Sequence, residues 1–373
     1  MNIGIDARAA KWYRGTGIGT YTYELIKSLN SVDNYNNYTL YMPKDNNYIN
    51  FCKNFSIKNV CDNKKDNFWD DINTPNEIFN DNLSIYHIPQ NGIGLPKQKN
   101  CPFVVTLHDI IPCKMPSTVS DQYLDIFSKK IQEIIDYSDA IITVSNYSKK
   151  DIVETLNYPE EKIHVTYLAS EDIYRPLNKI YCKEFIKNNY GIEEDFILYI
   201  GGFSPRKNIS GLIEAFSKLK CNNNLKLIIG GKKGKSYDMY KQKSIDLHIE
   251  NKVIFTGFIP IEHLPLFYNA AKLFVYPSLY EGFGLPPIEA MACGTPVIAS
   301  NRTSIPEILG RAAYMINPED IGCLCDSMVE LLNNEDLRKD LIFKGYDKSR
   351  SLSWKSTAKQ TLDLYKLIKK EFS

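Results

Sequence analysis

The chain has 373 residues, too many for one ordinary hydrophobic core and about right for two. Its 45 lysine and arginine residues nearly balance its 44 aspartate and glutamate residues, which excludes a dedicated nucleic-acid-binding protein with a large excess of positive charge. With 43% hydrophobic and 24% charged residues, the composition is that of a folded globular protein and not of a disordered chain.

The apolar runs and the cysteines predict an intracellular protein. No apolar run approaches the roughly 20 residues that span a bilayer, and residues 1–6 show no secretory signal. The nine cysteines are scattered without a C-x-x-C pair, which favours reduced thiols. We therefore expect a soluble cytoplasmic protein.

Short apolar runs rich in β-branched residues recur along the chain and alternate with segments of helical period. The runs are residues 3–5, 104–107, 141–144, 197–200, 225–229, 253–255, 273–276 and 297–299. Several are continuous, as in strands that are buried on both faces of a parallel sheet. This repetition of strand and helix predicts an α/β fold with right-handed crossovers.

Three helical segments have a cap or a clear apolar side. One follows the glycines at residues 15–19, and Ser120 is a candidate N-cap for a second, whose apolar stripe extends from Leu124 to Ile135. Residues 354–372 predict a final helix. Its expected apolar side consists of Leu362, Tyr365, Leu367 and Ile368.

The series of strands occurs twice, which indicates two domains. The first series ends near residues 165–168, and the second opens at residues 196–200 after a helical segment at 181–189. We place the boundary near residues 175–179. Residues 45–82 are rich in Asn and Asp and only weakly periodic, and we interpret them as a surface excursion of the first domain.

The first candidate motif is Gly15-Thr16-Gly17-Ile18-Gly19, between the opening strand and a helix. Glycine lets a backbone approach a ligand closely, and a helix N-terminus offers N–H groups to an anion. The spacing matches neither the dinucleotide-binding fingerprint nor a P-loop. A tight turn between strand and helix explains the segment equally well.

The second candidate is His108, which together with Asp109 follows a buried strand. Ligands of open α/β sheets lie beyond the carboxyl ends of the strands. A His-Asp pair there can bind a hydroxyl or phosphate group or transfer a proton. A histidine that only caps the loop is the alternative, and the absence of a G-x-S-x-G motif disfavours a hydrolase.

Two adjacent cations, Arg206 and Lys207, follow the first strand of the second series and two glycines. Arginine supplies a fork of donors and lysine a point charge, so the pair suits a pyrophosphate group. A solvated pair at the start of a surface helix is the alternative.

The most specific segment is residues 276–297, which predicts a strand, a glycine loop, a helix and a strand. Two adjacent prolines suit the first helical turn, whose N–H groups would face an anion. These N–H groups belong to Phe283, Gly284 and Leu285. Glu281 in the loop and Glu289 in the helix could accept hydrogen bonds from sugar and ribose hydroxyls.

Together these residues resemble the retaining nucleotide-sugar glycosyltransferases of family GT4, over nearly the whole chain. The most specific part is the E-x7-E pattern that joins Glu281 to Glu289. The resemblance implies the GT-B fold, an α/β fold of two facing Rossmann-like domains with a deep interdomain cleft and a C-terminal helix that crosses back to the first domain. Residues 1–175, with helix 354–373, would bind the acceptor, and residues 176–353 the nucleotide-sugar donor.

The resemblance also assigns roles to single residues. Lys207, with Arg206 beside it, would neutralise the donor pyrophosphate, and His108 would lie near the sugar and the phosphate. Glu281 would bind hydroxyls of the transferred sugar, and Glu289 those of the ribose. The loop of Gly17 and Gly19 would close over the diphosphate, and the base would lodge near Gly257, Phe258 and Ile259.

The catalytic residues, on this view, are His108, Arg206, Lys207 and Glu281, and they need no metal or other cofactor. The chain has no D-x-D motif, the usual metal-bridging motif of other glycosyltransferases, so cations and helix N-termini would stabilise the leaving diphosphate. The resemblance implies retention of anomeric configuration by same-face attack. Many members have an arginine where this chain has Gly202, and Arg206 would supply that charge.

Other classes of protein stay open. A nicotinamide-dependent oxidoreductase would need an acidic residue after the second strand, where this chain has Met42-Pro43. A non-transferase enzyme of the same fold, such as a nucleotide-sugar epimerase, and a non-catalytic sugar-nucleotide sensor are further alternatives.

The resemblance also indicates a donor and an acceptor. The Asp-Ala-Arg opening and the Gly-Ile-Gly-Thr-Tyr segment are similar to enzymes that build bacterial surface polysaccharides, often mannosyltransferases. GDP-mannose is the favoured donor, a UDP-sugar the alternative, and the acceptor a glycan or a lipid-linked glycan. Such acceptors imply peripheral contact with the inner face of the membrane, although no strongly basic amphipathic helix supports it.

Charge is distributed unevenly along the chain. Residues 1–175 carry 18 basic and 22 acidic residues, and residues 176–373 carry 27 and 22. The basic half is the one expected to hold a nucleoside diphosphate.

Overall fold

The computed structural model describes residues 1–43, 50–60, 76–219, 224–234 and 236–372. The strands, in chain order, are β1 (Asn2–Asp6), β2 (Asn37–Met42), β3 (Phe55–Asn59), β4 (Ile85–Ile88), β5 (Phe103–Thr106), β6 (Ala140–Thr143), β7 (Ile163–Val165), β8 (Phe196–Ile200), β9 (Lys226–Gly230), β10 (Val253–Gly257), β11 (Leu273–Tyr276), β12 (Val297–Ser300) and β13 (Tyr314–Ile316). The helices are α1 (Arg8–Trp12), α2 (Gly17–Val32), α3 (Ile111–Lys114), α4 (Asp121–Tyr137), α5 (Asn146–Leu156), α6 (Lys179–Tyr190), α7 (Ile209–Ser217), α8 (Tyr237–Asp246), α9 (Leu264–Ala270), α10 (Leu285–Ala292), α11 (Ile305–Leu309), α12 (Ile321–Asn333), α13 (Glu335–Ser351) and α14 (Trp354–Glu371).

The chain divides into two compact units, Met1–Leu168 with Ser353–Ser373, and Ala169–Leu352. The first unit contains a seven-stranded sheet in the order β3-β2-β1-β4-β5-β6-β7, and the second a six-stranded sheet in the order β10-β9-β8-β11-β12-β13. Every neighbouring pair is parallel. In each sheet the order reverses beside the first strand of the series, as in doubly wound α/β folds, so loops at the carboxyl ends of the central strands can form a ligand site.

The predicted runs are confirmed as strands, within a residue or two at their ends. They are continuous because their side chains are buried on both faces: every residue of β5, β6, β8, β11 and β12 is buried. The sequence analysis missed β4, whose apolar run is interrupted by the fully buried His87. It also missed β13, which is only three residues long.

The interpretation of residues 45–82 as a surface excursion requires a correction. Residues 55–59 of this segment form β3, the edge strand of the first sheet, which pairs with β2 from Tyr38 opposite Phe55 to Met42 opposite Asn59. The Tyr38 and Phe55 rings stack at 4.3 Å. The apolar pattern of this strand was weak in the sequence because most side chains of β3 are exposed, as is common at a sheet edge. Residues 45–49 and 61–75 lie outside the described residues.

The predicted caps and apolar faces are mostly confirmed. Ser120 accepts a hydrogen bond from the Tyr123 N–H and begins α4, which buries Phe127 and Ile134 against the first sheet. Pro286 and the proline after it lie in the first turn of α10, as expected.

The second unit begins at Ala169, several residues before the predicted boundary. Asn269 of α9 binds the connecting segment. Its side chain accepts from the Leu177 N–H at 2.8 Å and donates to the Arg175 carbonyl at 3.0 Å. The connecting segment therefore packs with the second unit.

The final helix α14 belongs to the first unit. Ser353 caps it by accepting from the Ser356 N–H at 3.1 Å, and the Thr357 hydroxyl donates to the Tyr167 carbonyl at 2.5 Å. Leu367, predicted on the apolar side, is 46% exposed, whereas its neighbour Ile368 is 3% exposed. Consecutive residues point about 100° apart around a helix, and this rotation places Leu367 outside the buried face that contains Ile368.

No disulfide bond links the cysteines of the described part of the chain. Among the same residues, no helix is both long enough and apolar enough to pass through a membrane.

The two neighbouring residues of α14 allow a matched test of its packing. Ile368→Ala should lower the free energy of unfolding by about 2–5 kcal/mol, because it empties a buried site. Leu367→Ala, at an exposed position, should change it by less than about 0.5 kcal/mol. Urea denaturation measures both values. Equal losses in the two variants would show that this face of α14 is not docked.

Candidate active site

The second unit brings three of the predicted catalytic residues together at the carboxyl edge of its sheet. Arg206 and Lys207 lie in a 3₁₀ turn, Pro205–Lys207, after β8, and Glu281 follows the neighbouring strand β11. Lys207 Nζ donates to Glu281 Oε1 at 2.5 Å, and Arg206 Nη1 donates to Oε2 at 3.0 Å. One buried carboxylate thus holds two cations, and we call these three residues the charged triad.

Tyr276 completes the charged triad and was not singled out from the sequence. Its hydroxyl accepts from Lys207 Nζ at 2.8 Å and donates to Glu281 Oε1 at 2.9 Å. Burial, reinforced by the nearby Glu281 charge, keeps the pKa of Tyr276 well above its usual value, so it stays a neutral donor. The available signal was its position as the last residue of β11, at the edge where ligands of such sheets bind.

The backbone around Glu281 is fixed from the loop after β12. The Glu281 N–H donates to Thr303 Oγ1 at 3.0 Å, and its carbonyl accepts from Ser304 Oγ at 2.8 Å. Arg206 Nη1 also donates to the Tyr280 carbonyl at 2.9 Å. Loops after three adjacent strands therefore hold the carboxylate in one place, which is the kind of support that a precise site requires.

The charge state of Glu281 follows from its partners. Burial by itself would raise the pKa of a carboxyl group, but Lys207 and Arg206 outweigh it and lower the pKa of Glu281 to about 2. The carboxylate is therefore ionised at physiological pH, and the charged triad carries a net charge of one positive unit.

The helix α10 begins beside the charged triad. Gly284 is its N-cap, with φ of 101°, a backbone conformation that favours glycine, and a Cβ there would lie 2.6 Å from Ile305 Cδ1. Phe283 and Leu285, its neighbours, are buried. A helix start without a side-chain cap can direct N–H groups at an anion, and the role of Phe283, Gly284 and Leu285 in donor binding stays a prediction.

Glu289 lies one turn into α10 and apart from the hydrogen bonds of the charged triad. It is 9% exposed, and its Oε2 accepts from the Tyr268 hydroxyl at 2.8 Å. Tyr268, of α9, is a second residue that the sequence analysis missed. The assignment of Glu289 to a ribose stays a prediction.

The predicted base site lies at the end of β10. Gly257 has φ of 73°, and a Cβ there would meet no atom within 4 Å. The Phe258 side chain is 59% exposed, whereas Ile259 is buried and packs towards Gly230. Exposed aromatic rings are natural stacking surfaces for bases, so the arrangement suits a base, with Phe258 as the contact and Ile259 as its support.

Glycines also end the two neighbouring strands of this sheet. A Cβ at Gly231, after β9, would lie 1.9 Å from the Gly201 carbonyl oxygen, so only glycine permits this approach. At Gly202, after β8, a Cβ would meet nothing within 4 Å. Because glycines have no side chains, a ligand can approach the backbone closely at the carboxyl ends of β8, β9 and β10.

In the first unit, Gly17 and Gly19 lie in the first turn of α2 and not in a loop, which corrects the sequence analysis. Thr16 is the N-cap and accepts from the Gly19 N–H at 3.2 Å. A Cβ at Gly19 would lie 1.9 Å from the Tyr13 carbonyl oxygen, whereas one at Gly17 would meet nothing within 4 Å. Gly19 thus serves close packing, and Gly17 leaves space at the helix start.

His108 lies just beyond the carboxyl end of β5, as predicted, and is buried. Its Nε2 lies 2.9 Å from the Pro89 carbonyl, and its backbone N–H donates to Asn91 Oδ1 at 2.8 Å. Burial lowers the pKa of His108 to about 4, although the bond to Pro89 opposes this shift. Because a carbonyl only accepts, Nε2 carries the proton, and the neutral ring keeps Nδ1 as an acceptor.

The opening Asp-Ala-Arg segment forms a buried ion pair at the same edge. Arg8 donates to Asp6 through Nε at 2.9 Å and Nη2 at 2.6 Å, and Gln90 Nε2 donates to Asp6 Oδ2 at 2.6 Å. Asp6 thus connects the end of β1 with α1 through Arg8, and with the loop after β4 through Gln90. This loop lies next to the segment that leads to His108. Sequence reasoning used this segment as a family signature and missed its structural role.

The described residues contain no group of three or more His, Cys, Asp or Glu side chains that could hold a metal ion.

Two solved structures match nearly the whole chain. Sucrose-phosphate synthase from Thermosynechococcus elongatus matches with a TM-score of 0.79 at 19% identity over 99% of both chains. Anabaena HepE, solved in complex with UDP-glucose, matches with a TM-score of 0.74 at 16% identity, over 98% of this chain and 99% of that one. These matches show the GT-B fold.

Sequence comparison identifies the family. The profile of the glycosyl transferases group 1 matches residues 183–348, and that of glycosyltransferase family 4 matches residues 15–169. The O-antigen chain mannosyltransferase B of Escherichia coli is 34% identical over 267 residues, which are 71% of this chain and 70% of that protein. The chain belongs to glycosyltransferase family 4.

The lowered pKa of Glu281 makes stability depend on pH. A carboxylate with a depressed folded-state pKa stabilises the fold above its unfolded pKa, near 4.5, and this contribution is lost as pH falls towards about 2. The free energy of unfolding of wild type should therefore exceed that of Glu281→Gln by on the order of 3 kcal/mol at pH 7. This difference should shrink between pH 4.5 and 2.5. Urea denaturation across this range measures it.

The exposed Glu262→Gln is the matched control and should change stability by less than about 0.5 kcal/mol. A difference between wild type and Glu281→Gln that is the same at pH 3 and pH 7 would contradict the ionised, doubly paired carboxylate.

Proposed function

We propose that the protein transfers mannose from GDP-mannose to a glycan or lipid-linked glycan in the synthesis of a bacterial surface polysaccharide, with retention of configuration and without a metal. The charged triad is the observation that carries this proposal, because it gathers two cations where a donor diphosphate would bind. The choice of mannose is supported by the 34% identity with an O-antigen chain mannosyltransferase. We further propose a cytoplasmic enzyme that contacts the inner face of the membrane when its acceptor is lipid-linked.

The donor, in this proposal, extends along the carboxyl edge of the second sheet. Its base stacks on Phe258 over the open backbone of Gly257, and its diphosphate lies between the N-terminus of α10 and the cations Arg206 and Lys207. Glu289 accepts from the ribose hydroxyls. The sugar hydroxyls donate to Glu281, whose ionised state makes it an acceptor only.

Transfer then exchanges one bond at the anomeric carbon for another on the same face. The bond from C1 to the β-phosphate oxygen breaks with its electron pair, which the phosphate takes. An acceptor hydroxyl oxygen forms the new bond to C1, and its proton passes to the departing phosphate oxygen. Lys207 and Arg206 offset the charge that develops on the leaving group, and His108 accepts a hydrogen bond from the sugar through Nδ1.

A donor screen tests the proposal. With a glycan acceptor present, release of GDP from GDP-mannose should exceed release of UDP or ADP from the corresponding nucleotide sugars. Excess EDTA should leave the rate of transfer unchanged. NMR should show that the product keeps the α-anomeric configuration. Acceptor-independent conversion of the donor would identify an epimerase instead. Full loss of activity in EDTA that Mn²⁺ restores would refute metal independence.

Within the same screen, Lys207→Ala should lower kcat by about 100-fold or more, because one of two cations at the leaving group is lost. The variant should also be less stable than wild type, since it leaves Glu281 with Arg206 as its remaining cation. The exposed Lys241→Ala is the control for removal of a lysine. Unchanged turnover in a folded Lys207→Ala protein would remove the charged triad from the mechanism.

Phe258→Ala tests the base site separately. Loss of a stacking ring is worth about 1–3 kcal/mol, so the KM for the donor should rise by about tenfold while kcat changes little. Phe343→Ala, in α13, removes an equally bulky ring that is 75% exposed and should alter neither constant. A kcat effect without a KM effect, or equal behaviour of both variants, would place the base elsewhere.

A further inference from the structure

A chain of buried hydrogen bonds connects α14 with the strand that leads to His108. The Tyr365 hydroxyl lies 2.6 Å from His87 Nδ1, on β4. His87 Nε2 lies 2.8 Å from Thr106 Oγ1, at the end of β5. The Tyr21 hydroxyl, from α2, lies 2.9 Å from the same Thr106 oxygen. The side chains of Tyr365, His87, Thr106 and Tyr21 are all fully buried.

The direction of these hydrogen bonds follows from Tyr365. Within the described residues, the hydroxyl of Tyr365 is hydrogen-bonded to His87 alone. If it only accepted, its own hydrogen would be buried without a partner, so it donates to Nδ1. The His87 proton then lies on Nε2 and is donated to Thr106. Burial, with a smaller effect of His108, lowers the pKa of His87 to about 3, so the ring is neutral at physiological pH.

This chain reaches His108 by two routes. Thr106 is the last residue of β5 and precedes His108 by one intervening residue. The Tyr21 ring packs edge-on against the His108 ring, with centroids 4.8 Å apart and an angle of 90° between the planes. A single tautomer of His87 therefore fixes both the strand end and the aromatic ring that hold His108.

We propose that Tyr365 is a positioning residue for His108. Its hydroxyl sets the tautomer of His87. Through Thr106 and Tyr21, this tautomer sets the orientation in which His108 presents Nδ1. Tyr365 and His87 are fully buried, and the proposal gives neither of them a contact with the substrate. The catalytic consequence rests on the proposed role of His108 in sugar transfer, whereas the positioning itself does not.

Tyr365→Phe tests the proposal, because it removes the hydroxyl and keeps the ring. The matched control is Tyr158→Phe, a buried tyrosine of the same unit whose hydroxyl donates to the Ser138 carbonyl at 3.0 Å. Tyr365→Phe should lower kcat by about tenfold, with the donor KM unchanged within about twofold, because a misplaced group slows the chemical step more than binding. Tyr158→Phe should change the melting temperature and neither kinetic constant.

The second measurement needs no substrate. In protein labelled with ¹⁵N-histidine, the imidazole resonances of His87 and His108 should both shift in Tyr365→Phe and stay in place in Tyr158→Phe. Thr106→Val should reproduce the shift at His108, and Thr106→Ser, which keeps the hydroxyl, should restore the wild-type position.

The outcomes separate the two proposals. If Tyr365→Phe matches Tyr158→Phe in resonances and in kcat, the chain of hydrogen bonds only stabilises the fold and the positioning role is overturned. If the His108 resonances shift but wild type transfers no sugar from any donor, the positioning stands and the proposed function fails. If the resonances shift and kcat is unchanged, His108 does not depend on this orientation and its positioning by Tyr365 is refuted for catalysis.

Discussion

The buried carboxylate of Glu281 is the constraint on which the candidate site depends. Its buried charge is offset by Lys207 and Arg206, which lie within hydrogen-bonding distance, and the carboxylate in turn helps to hold both cations in place. The loops after β8 and β11 are therefore locked to each other, and Ser304 adds the loop after β12. A buried ion pair alone is weak evidence for stability. Here it sits where ligands of parallel sheets bind, which indicates that it is kept for function.

For the proposed donor, the charged triad would offer two positioned cations without the charge of an open basic patch. Two cations and one carboxylate leave a net positive unit, held in fixed positions and partly shielded by Tyr276. An arriving diphosphate would compete with Glu281 for the same donors, so the cations need not be desolvated anew when the donor binds. Fixed donors of this kind stabilise developing charge better than mobile surface lysines.

Much of the fold could be predicted because buried parallel strands leave continuous apolar runs. The failures have local physical causes. His87 interrupts the apolar run of β4 because its side chain belongs to a buried chain of hydrogen bonds. The apolar pattern of β3 is weak because this strand lies at an exposed edge of the sheet. The packing of the connecting segment could not be predicted, because the side chain that binds it comes from α9, which is distant in sequence.

The site was predictable where its residues followed strands directly, as with Lys207 and Glu281. The residues that support the site could not be predicted. Tyr276 and Tyr268 read as ordinary core aromatics, and only the three-dimensional structure shows that their hydroxyls bind Glu281 and Glu289. Gly17 and Gly19 looked equivalent in the sequence, yet a Cβ is blocked at one and unopposed at the other.

The protonation states constrain the chemistry further. Glu281, with a pKa near 2, and His108, with a pKa near 4, are both unprotonated at the relevant nitrogen or oxygen at neutral pH and are both weak bases. Neither is matched to remove a proton from a sugar hydroxyl, since efficient general bases have a pKa near the working pH. The departing phosphate oxygen gains charge as its bond to carbon breaks, so its basicity rises at the moment when the acceptor must lose its proton. In the proposed mechanism each side chain would therefore serve as a hydrogen-bond acceptor and not as a base, and the proton would go to the leaving group, in keeping with the same-face transfer that we propose.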